Sequence, residues 1–217
     1  WWIIYMVQGG ILTVIHQNPP KHYLDYVKEN KAAVILIPGI LGKWSFMKKM
    51  GDNISLEGHP VYIVPKLGYN IASIPSSAEK IKELADGISG KIVIVAHSKG
   101  GLIGKYFLAH HNQNQKVLGM VAVASPFTGS ALANLIPHDS FRELKNDSKI
   151  IENLEKHNEI NNKIISIIPE YDNHVLAERG SFLPGAVNIE VNVKGHHKVI
   201  FDKDVIKIVI EEVNKMV

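Results

Sequence analysis

One regularity constrains this chain more than any other. Short apolar runs rich in Val and Ile recur at residues 33–37, 61–64, 92–95, 118–124, 164–168 and 188–193. Between them lie segments with helical spacing of apolar residues, at 43–56, 74–88, 101–110 and 141–155, and a last one at 204–216 closes the chain. A strand that is apolar on both faces must be covered on both faces. Strands separated by helices are joined by crossovers and run parallel, and the right hand of those crossovers winds the helices onto both faces. The pattern predicts an α/β fold with a doubly wound, mainly parallel sheet of about six strands and helices on both faces. An earlier stretch, 22–30, places Tyr23, Leu24, Tyr26 and Val27 for one helical face. No linker splits the chain, so 31–217 is expected to be one domain preceded by an N-terminal arm, 1–30.

Composition narrows the function classes. Of 217 residues, 46% are hydrophobic and 21% charged, too apolar for global disorder. The net charge is only +3, and Arg142 and Arg179 are the sole arginines, so nucleic acid is not an expected partner. The absence of Cys excludes disulfides, a thiolate nucleophile and Cys-based metal sites. The pairs His110-His111 and His196-His197 lack the i, i+4 spacing with an acidic partner that a helical metal site uses, and there is no nucleotide-binding glycine motif. Neither a metal nor another cofactor is expected.

In a sheet of this kind, function collects at the carboxyl ends of the strands. The run 33–37 is followed by Pro38-Gly39-Ile40-Leu41-Gly42, a turn with exposed N–H groups that suits an oxyanion. The run 92–95 is followed by Ala96-His97-Ser98-Lys99-Gly100-Gly101 and then a helix. This is the pattern of a nucleophile elbow, a sharp strand-to-helix turn that lifts a Ser above the sheet. Residues two before and two after the Ser crowd each other, and here both are small, Ala96 and Gly100. His97 is expected to pack beside the elbow or orient it. A Ser nucleophile needs a base and an acid, and in this chain order they follow later strands. Glu170 and Asp172 stand after 164–168, and His196 and His197 after 188–193.

With these motifs the sequence resembles the α/β-hydrolase superfamily. It is most similar to small bacterial lipases of the bacillus lipase A type, which have an Ala-x-Ser-x-Gly elbow and almost no cap. The resemblance runs from about Ala33 to the C-terminus. SIIPEYDNHV at 166–175 resembles the family's acid segment and puts Asp172 on the catalytic acid. GAVNIEVNVKGHHKVI at 185–200 resembles its Gly-His segment and puts His196 on the catalytic base. Pro38 stands where the family's oxyanion loop has His. The resemblance implies Ser98 as nucleophile and the backbone N–H groups of Ile40 and Lys99 as oxyanion hole. The Lys99 side chain departs from the family pattern and is expected to be solvated or salt-bridged rather than substrate-facing. The segment 125–162 is longer than a minimal lipase needs. It reads as a lid or as extra surface helices, with Leu41, Phe127 and Leu132 as candidates to line an acyl site.

The resemblance implies a cofactor-free carboxylic-ester hydrolase. Its elbow serves a thioesterase, amidase or acyltransferase equally well, and a membrane-associated binding protein that kept the fold is a non-catalytic alternative. The chain starts Trp-Trp, so its native N-terminus is expected to lie upstream. Trp1 to Ile15 is the most apolar stretch, too short for a membrane span. It reads first as a segment packed on the domain and second as a contact with a membrane surface. A cytoplasmic or membrane-associated location is favoured over secretion.

Overall fold

The apolar runs form six strands: β1 (Ala33–Ile37), β2 (Val61–Ile63), β3 (Ile92–His97), β4 (Val117–Val123), β5 (Ile164–Tyr171) and β6 (Val187–Lys194). The computed structural model describes Ile4, Val7, Gly10, Ile11 and residues 18–175 and 180–217. Most of the apolar start, Trp1 to Ile15, lies outside the described residues, and with it the expected membrane contact of the arm. The strands form one sheet in the order β2-β1-β3-β4-β5-β6, and every neighbouring pair is parallel. The doubly wound sheet expected from the alternation is the one that forms.

Among the described residues from 18 onward, seven helices accompany it: α1 (His22–Asp25), α2 (Lys48–Leu56), α3 (Ile74–Gly87), α4 (Lys99–His110), α5 (Asp139–Arg142), α6 (Lys149–Glu155) and α7 (Lys203–Lys215). Local chemistry starts the long ones. Ser73 caps α3 by accepting from the Ser76 N–H, and Pro75 occupies its first turn. Asp202 caps α7 by accepting from Asp204 and Val205. Along each strand alternate side chains enter opposite layers. Ile35, Ile94, Met120 and Ala122 pack against Ile81 of α3 and Leu102 and Phe107 of α4. Leu36, Val93, Val95 and Val121 pack on the other face with Met50 and Ile54 of α2 and Val205 and Val209 of α7. That two-sided burial is why the strand sequences are apolar without a polar alternate.

Two expected helices come out differently. The 22–30 helix ends at Asp25. Only Tyr23 is buried, under Trp44 and against Gly51, while Leu24, Tyr26 and Val27 are exposed. The chain leaves the helix so that the Lys28 N–H can reach the Gly58 carbonyl at 3.0 Å. The 141–155 helix is broken into α5 and α6. Ser148 enforces the break, because its hydroxyl donates to the Glu143 carbonyl (2.9 Å) and accepts from the Ile151 N–H (3.3 Å), which starts α6 afresh.

The strand order reverses at β1: the chain moves outward to β2, then returns to place β3 on the other side. The loops after β1 and β3 therefore part at the carboxyl edge and leave a crevice between them. The Pro38–Gly42 loop and Ser98 border that crevice.

Candidate active site

Ser98 stands between β3 and α4 with φ 54° and ψ −126°, a conformation that L residues rarely adopt. Its N–H is held by the Val123 carbonyl at 3.0 Å. The turn is tight enough to dictate its neighbours. A Cβ added to Gly100 would lie 2.3 Å from the Ile37 carbonyl oxygen, and one on Gly101 would lie 2.0 Å from Ser125 Oγ. A Cβ on Gly39 would lie 3.0 Å from Ser98 Cβ and 3.5 Å from its Oγ, so the glycine keeps the space beside the hydroxyl open. The strain at Ser98 is sustained by packing from three sides.

Ser98, Asp172 and His196 meet. His196 Nε2 lies 2.9 Å from Ser98 Oγ, and His196 Nδ1 lies 2.8 Å and 3.0 Å from the two carboxylate oxygens of Asp172. An ionised carboxylate only accepts, so Nδ1 carries the proton and Nε2 presents its lone pair to the hydroxyl. Asp172 Oδ1 also accepts from the N–H groups of His174 and Val175 at 2.8 and 2.9 Å. Burial works against its charge, but His196 and these hydrogen bonds outweigh burial and hold the carboxyl down at about 2. The two later loops are tied together: the His196 N–H donates to Asn173 Oδ1 (3.0 Å) and the Gly195 N–H to the Tyr171 carbonyl (2.8 Å). Both rivals fall away. Glu170 is half-exposed and pairs with Lys194 at 3.0 Å. It is His196, not His197, whose ring nitrogen bonds Ser98 Oγ, and His197 sets its ring edge-on to Phe46.

Above Ser98 opens a cavity of about 520 Å³, lined mainly by apolar groups that include Leu41, Phe46, Tyr69, Leu132, Ile136 and Phe141. A smaller recess of about 50 Å³ continues past Ser98 and Leu132 to Pro126 and Leu144.

A family model for lecithin:cholesterol acyltransferase matches residues 77–179, a little under half of the chain. No curated protein sequence matches it. Among solved structures, the mature lipase BlEst2 of Bacillus licheniformis superposes with a TM-score of 0.70 at 15% identity, covering 88% of this chain and 95% of that one. The metagenomic carboxyl esterase MGS0156 gives a TM-score of 0.65 at 16% identity over 88% of this chain and 76% of its own. The mouse alpha/beta hydrolase domain-containing protein 10 gives 0.60 at 14% identity, covering 88% and 91%. The protein has the α/β-hydrolase fold.

Within this fold the Lys99 side chain does something its sequence does not announce. It is neither solvated nor turned to the cavity but buried, donating to the carbonyls of Asn70 (3.1 Å) and Ala72 (2.5 Å). Burial pushes its pKa down to about 8, against the pull of the Glu143 charge. Asn70, itself buried and at positive φ, donates from Nδ2 to the Pro38 carbonyl at 2.7 Å. The elbow thus braces the Pro38–Gly42 loop through the loop after β2. Lys99 is also the first residue of α4, where a backbone N–H has no intrahelical acceptor. It and the Ile40 N–H belong to the two segments that border Ser98.

Of the expected acyl-site residues, Leu41 and Leu132 line the cavity. Phe127 does not. After β4 the chain turns tightly, the Phe127 N–H donating to the Ser125 carbonyl at 2.9 Å, and the ring is buried in the core beside the sheet. Ile136 and Phe141, from 125–162, take the wall position instead. This segment contributes a cavity wall as well as buried residues, Ala133, Leu144, Ile151 and Leu154.

Two histidines flank His196. His97 is buried, and its Nε2 lies 3.1 Å from the His196 carbonyl, to which it must donate. Its ring sits 4.8 Å from that of His196. His97 thus packs beside the elbow and also ties it to the His196 segment. His174 lies against His196 on another side, with ring centroids 4.6 Å apart. Burial, then the His196 charge, drives His97 well below its ordinary pKa and His174 down to about 4. His174, Asn70, Asn173 and Phe141 carry no motif of their own. Only His174 and Asn173 had a sequence signal, their position beside Asp172 at a strand end.

Proposed function

We propose that the protein is a serine carboxylic-ester hydrolase acting through an acyl-enzyme. The observation that carries this reading is the continuous relay from Asp172 through His196 to Ser98, ending in an apolar cavity. Ser98 Oγ attacks the ester carbonyl as His196 Nε2 takes its proton. The oxyanion that forms is met by the backbone N–H groups of Ile40 and Lys99, each such donor contributing about 2.7–4 kcal/mol to the transition state. His196 then gives the proton to the leaving alcohol, and Asp172 keeps the imidazole in the productive tautomer and stabilises its charged form. Water enters by the same route in reverse and releases the acid. The acyl chain lies along Leu41, Leu132, Ile136 and Phe141, so an uncharged acyl group is the fitting substrate class. Structural neighbours named as a lipase and a carboxyl esterase support the reading.

The test is hydrolysis of p-nitrophenyl esters from acetate to palmitate. Ser98→Ala is expected to lower turnover by about 10⁴–10⁶-fold while the circular dichroism spectrum stays native. Residual turnover equal to wild type would remove Ser98 from the chemistry. A match to a family named for acyl transfer supports a second reading, in which an alcohol replaces water at the acyl-enzyme. Added glycerol or a long-chain alcohol would then yield a new ester at the expense of free acid. Thioester and anilide substrates in the same assay separate the remaining acyl-group chemistries.

A further inference from the structure

Three imidazoles that are far apart or merely adjacent in sequence converge beside the nucleophile. His97, His196 and His197 each offer a ring nitrogen, and these nitrogens lie within 4.8 Å of one another. Their ring centroids are 4.8 to 5.8 Å apart. The proton inventory leaves lone pairs available. His97 commits Nε2 as donor to the His196 carbonyl, so its Nδ1 is unprotonated in the neutral ring. His196 commits Nδ1 to Asp172, so its lone pair is on Nε2. His197 Nδ1 is buried and has no hydrogen-bond partner among the described residues. Burying a polar nitrogen without a partner is costly, and such an atom in a native fold marks a place where something else can bind. Neutral imidazole is the form that binds metal.

We propose that His97, His196 and His197 form a binding site for a divalent transition ion of the zinc class, and that the ion switches the enzyme off. The inhibitory part rests on the ester-hydrolase reading above; the binding part does not. All three residues line the cavity, which gives the ion its entry. Zn–N bonds of about 2.0–2.1 Å in a tetrahedral site hold ligand nitrogens about 3.4 Å apart, so nitrogens that lie within 4.8 Å of one another draw in by at most about 1.4 Å. Nitrogen ligands favour zinc, nickel and copper over magnesium and calcium, which prefer oxygen. Once bound, the ion occupies the His196 lone pair that would accept the Ser98 proton. Coordination forms no covalent product and is reversed when a chelator removes the ion.

The experiment has two arms. In the first, Co²⁺ is titrated into Ser98→Ala, which keeps all three histidines and reports binding without hydrolysis. One equivalent is expected to give the intense visible bands of tetrahedral cobalt, and these should be lost in Ser98→Ala carrying His197→Gln or His97→Gln. His197→Phe, an apolar ring beside Phe46, serves as the second variant should the Gln form misfold. In the second arm, ester hydrolysis is measured with Zn²⁺ and with Mg²⁺, each variant scaled to its own metal-free rate. Zn²⁺ should inhibit reversibly, Mg²⁺ should not, and His197→Gln should raise the half-inhibiting Zn²⁺ concentration on the order of tenfold or more. Cobalt bands that persist in both His variants, or that never form, would overturn the site even if hydrolysis is robust. Bands that depend on His97 and His197 in a protein without esterase activity would keep the site and overturn the functional reading instead.

Discussion

Asp172 sets the tautomer of His196, and that makes it a sharp probe at the residue scale. In Asp172→Asn the side-chain oxygen can still accept from the His174 and Val175 N–H groups, so the loop is kept. The new NH₂ then faces His196 Nδ1, which can only accept. The ring proton moves to Nε2 and points at Ser98, where a lone pair is needed. The expected result is a fall in kcat of about 10⁴-fold with little change in KM and none in fold. Steady-state kinetics beside a thermal melt checks it. A loss confined to KM would mean that Asp172 serves substrate binding rather than the base. The motifs around Ser98 and His196 were legible because their requirements are local: a strained turn demands small neighbours, and Gly100 meets the Ile37 carbonyl. Phe127 was misread because the direction of a side chain after a strand depends on the turn that follows it.

At the scale of elements, the loops at the carboxyl edge hold one another. Lys99 on α4 binds the carbonyls of Asn70 and Ala72, and Asn70 binds the Pro38 carbonyl. Asn70→Ala removes that last link without touching Ser98, Asp172 or His196. The Pro38–Gly42 loop then loses its register over Ser98, and kcat is expected to fall about 10–100-fold, with KM for a short ester nearly unchanged. Comparing acetate and octanoate esters checks it, because a gross collapse of the cavity would raise KM for the longer chain. Nothing in the sequence ranks Asn70, since its partners are 29 and 32 residues away. The same reasoning explains the broken 141–155 helix. Helical spacing continued across residues 145–148, but Ser148 hydrogen bonds made two short elements cheaper than one long one.

For the whole molecule, α4 carries an unusual cost. Lys105 is 3% exposed. Burial pushes its pKa from 10.5 down to about 8, against the charges of Glu155 and Glu159, which act in the opposite sense. Below about pH 8 the ammonium is charged in both folded and unfolded chains, and the full desolvation cost is present. Between about 8 and 10.5 the unfolded chain holds more protons than the folded one, so stability from this site rises with pH. Lys105→Met removes the charge while keeping the length. It is expected to stabilise the fold by about 1–3 kcal/mol at pH 7, with the gain shrinking toward zero near pH 10.5. Denaturant unfolding at pH 7 and pH 10 checks both sign and slope. A gain that is equal at the two pH values would assign the effect to packing instead of charge.

The sequence by itself determined the order of strands and helices, the two-sided burial of the sheet and the strained turn at Ser98. These follow from contacts within a few residues or from the average environment of a whole strand, and both leave their mark on residue type. The residues alone left Glu170 beside Asp172 and His197 beside His196 as rivals that the resemblance ranked, and only the tertiary structure brought Asp172 to His196 and His196 to Ser98. It alone decided that a lysine would be buried as a brace, that Phe127 would join the core while Phe141 faced the cavity, and that His97 would meet a histidine pair 99 residues further on. These choices depend on side-chain direction and on pairs distant in the chain, and one residue's chemistry cannot encode the position of another until the sheet brings them together.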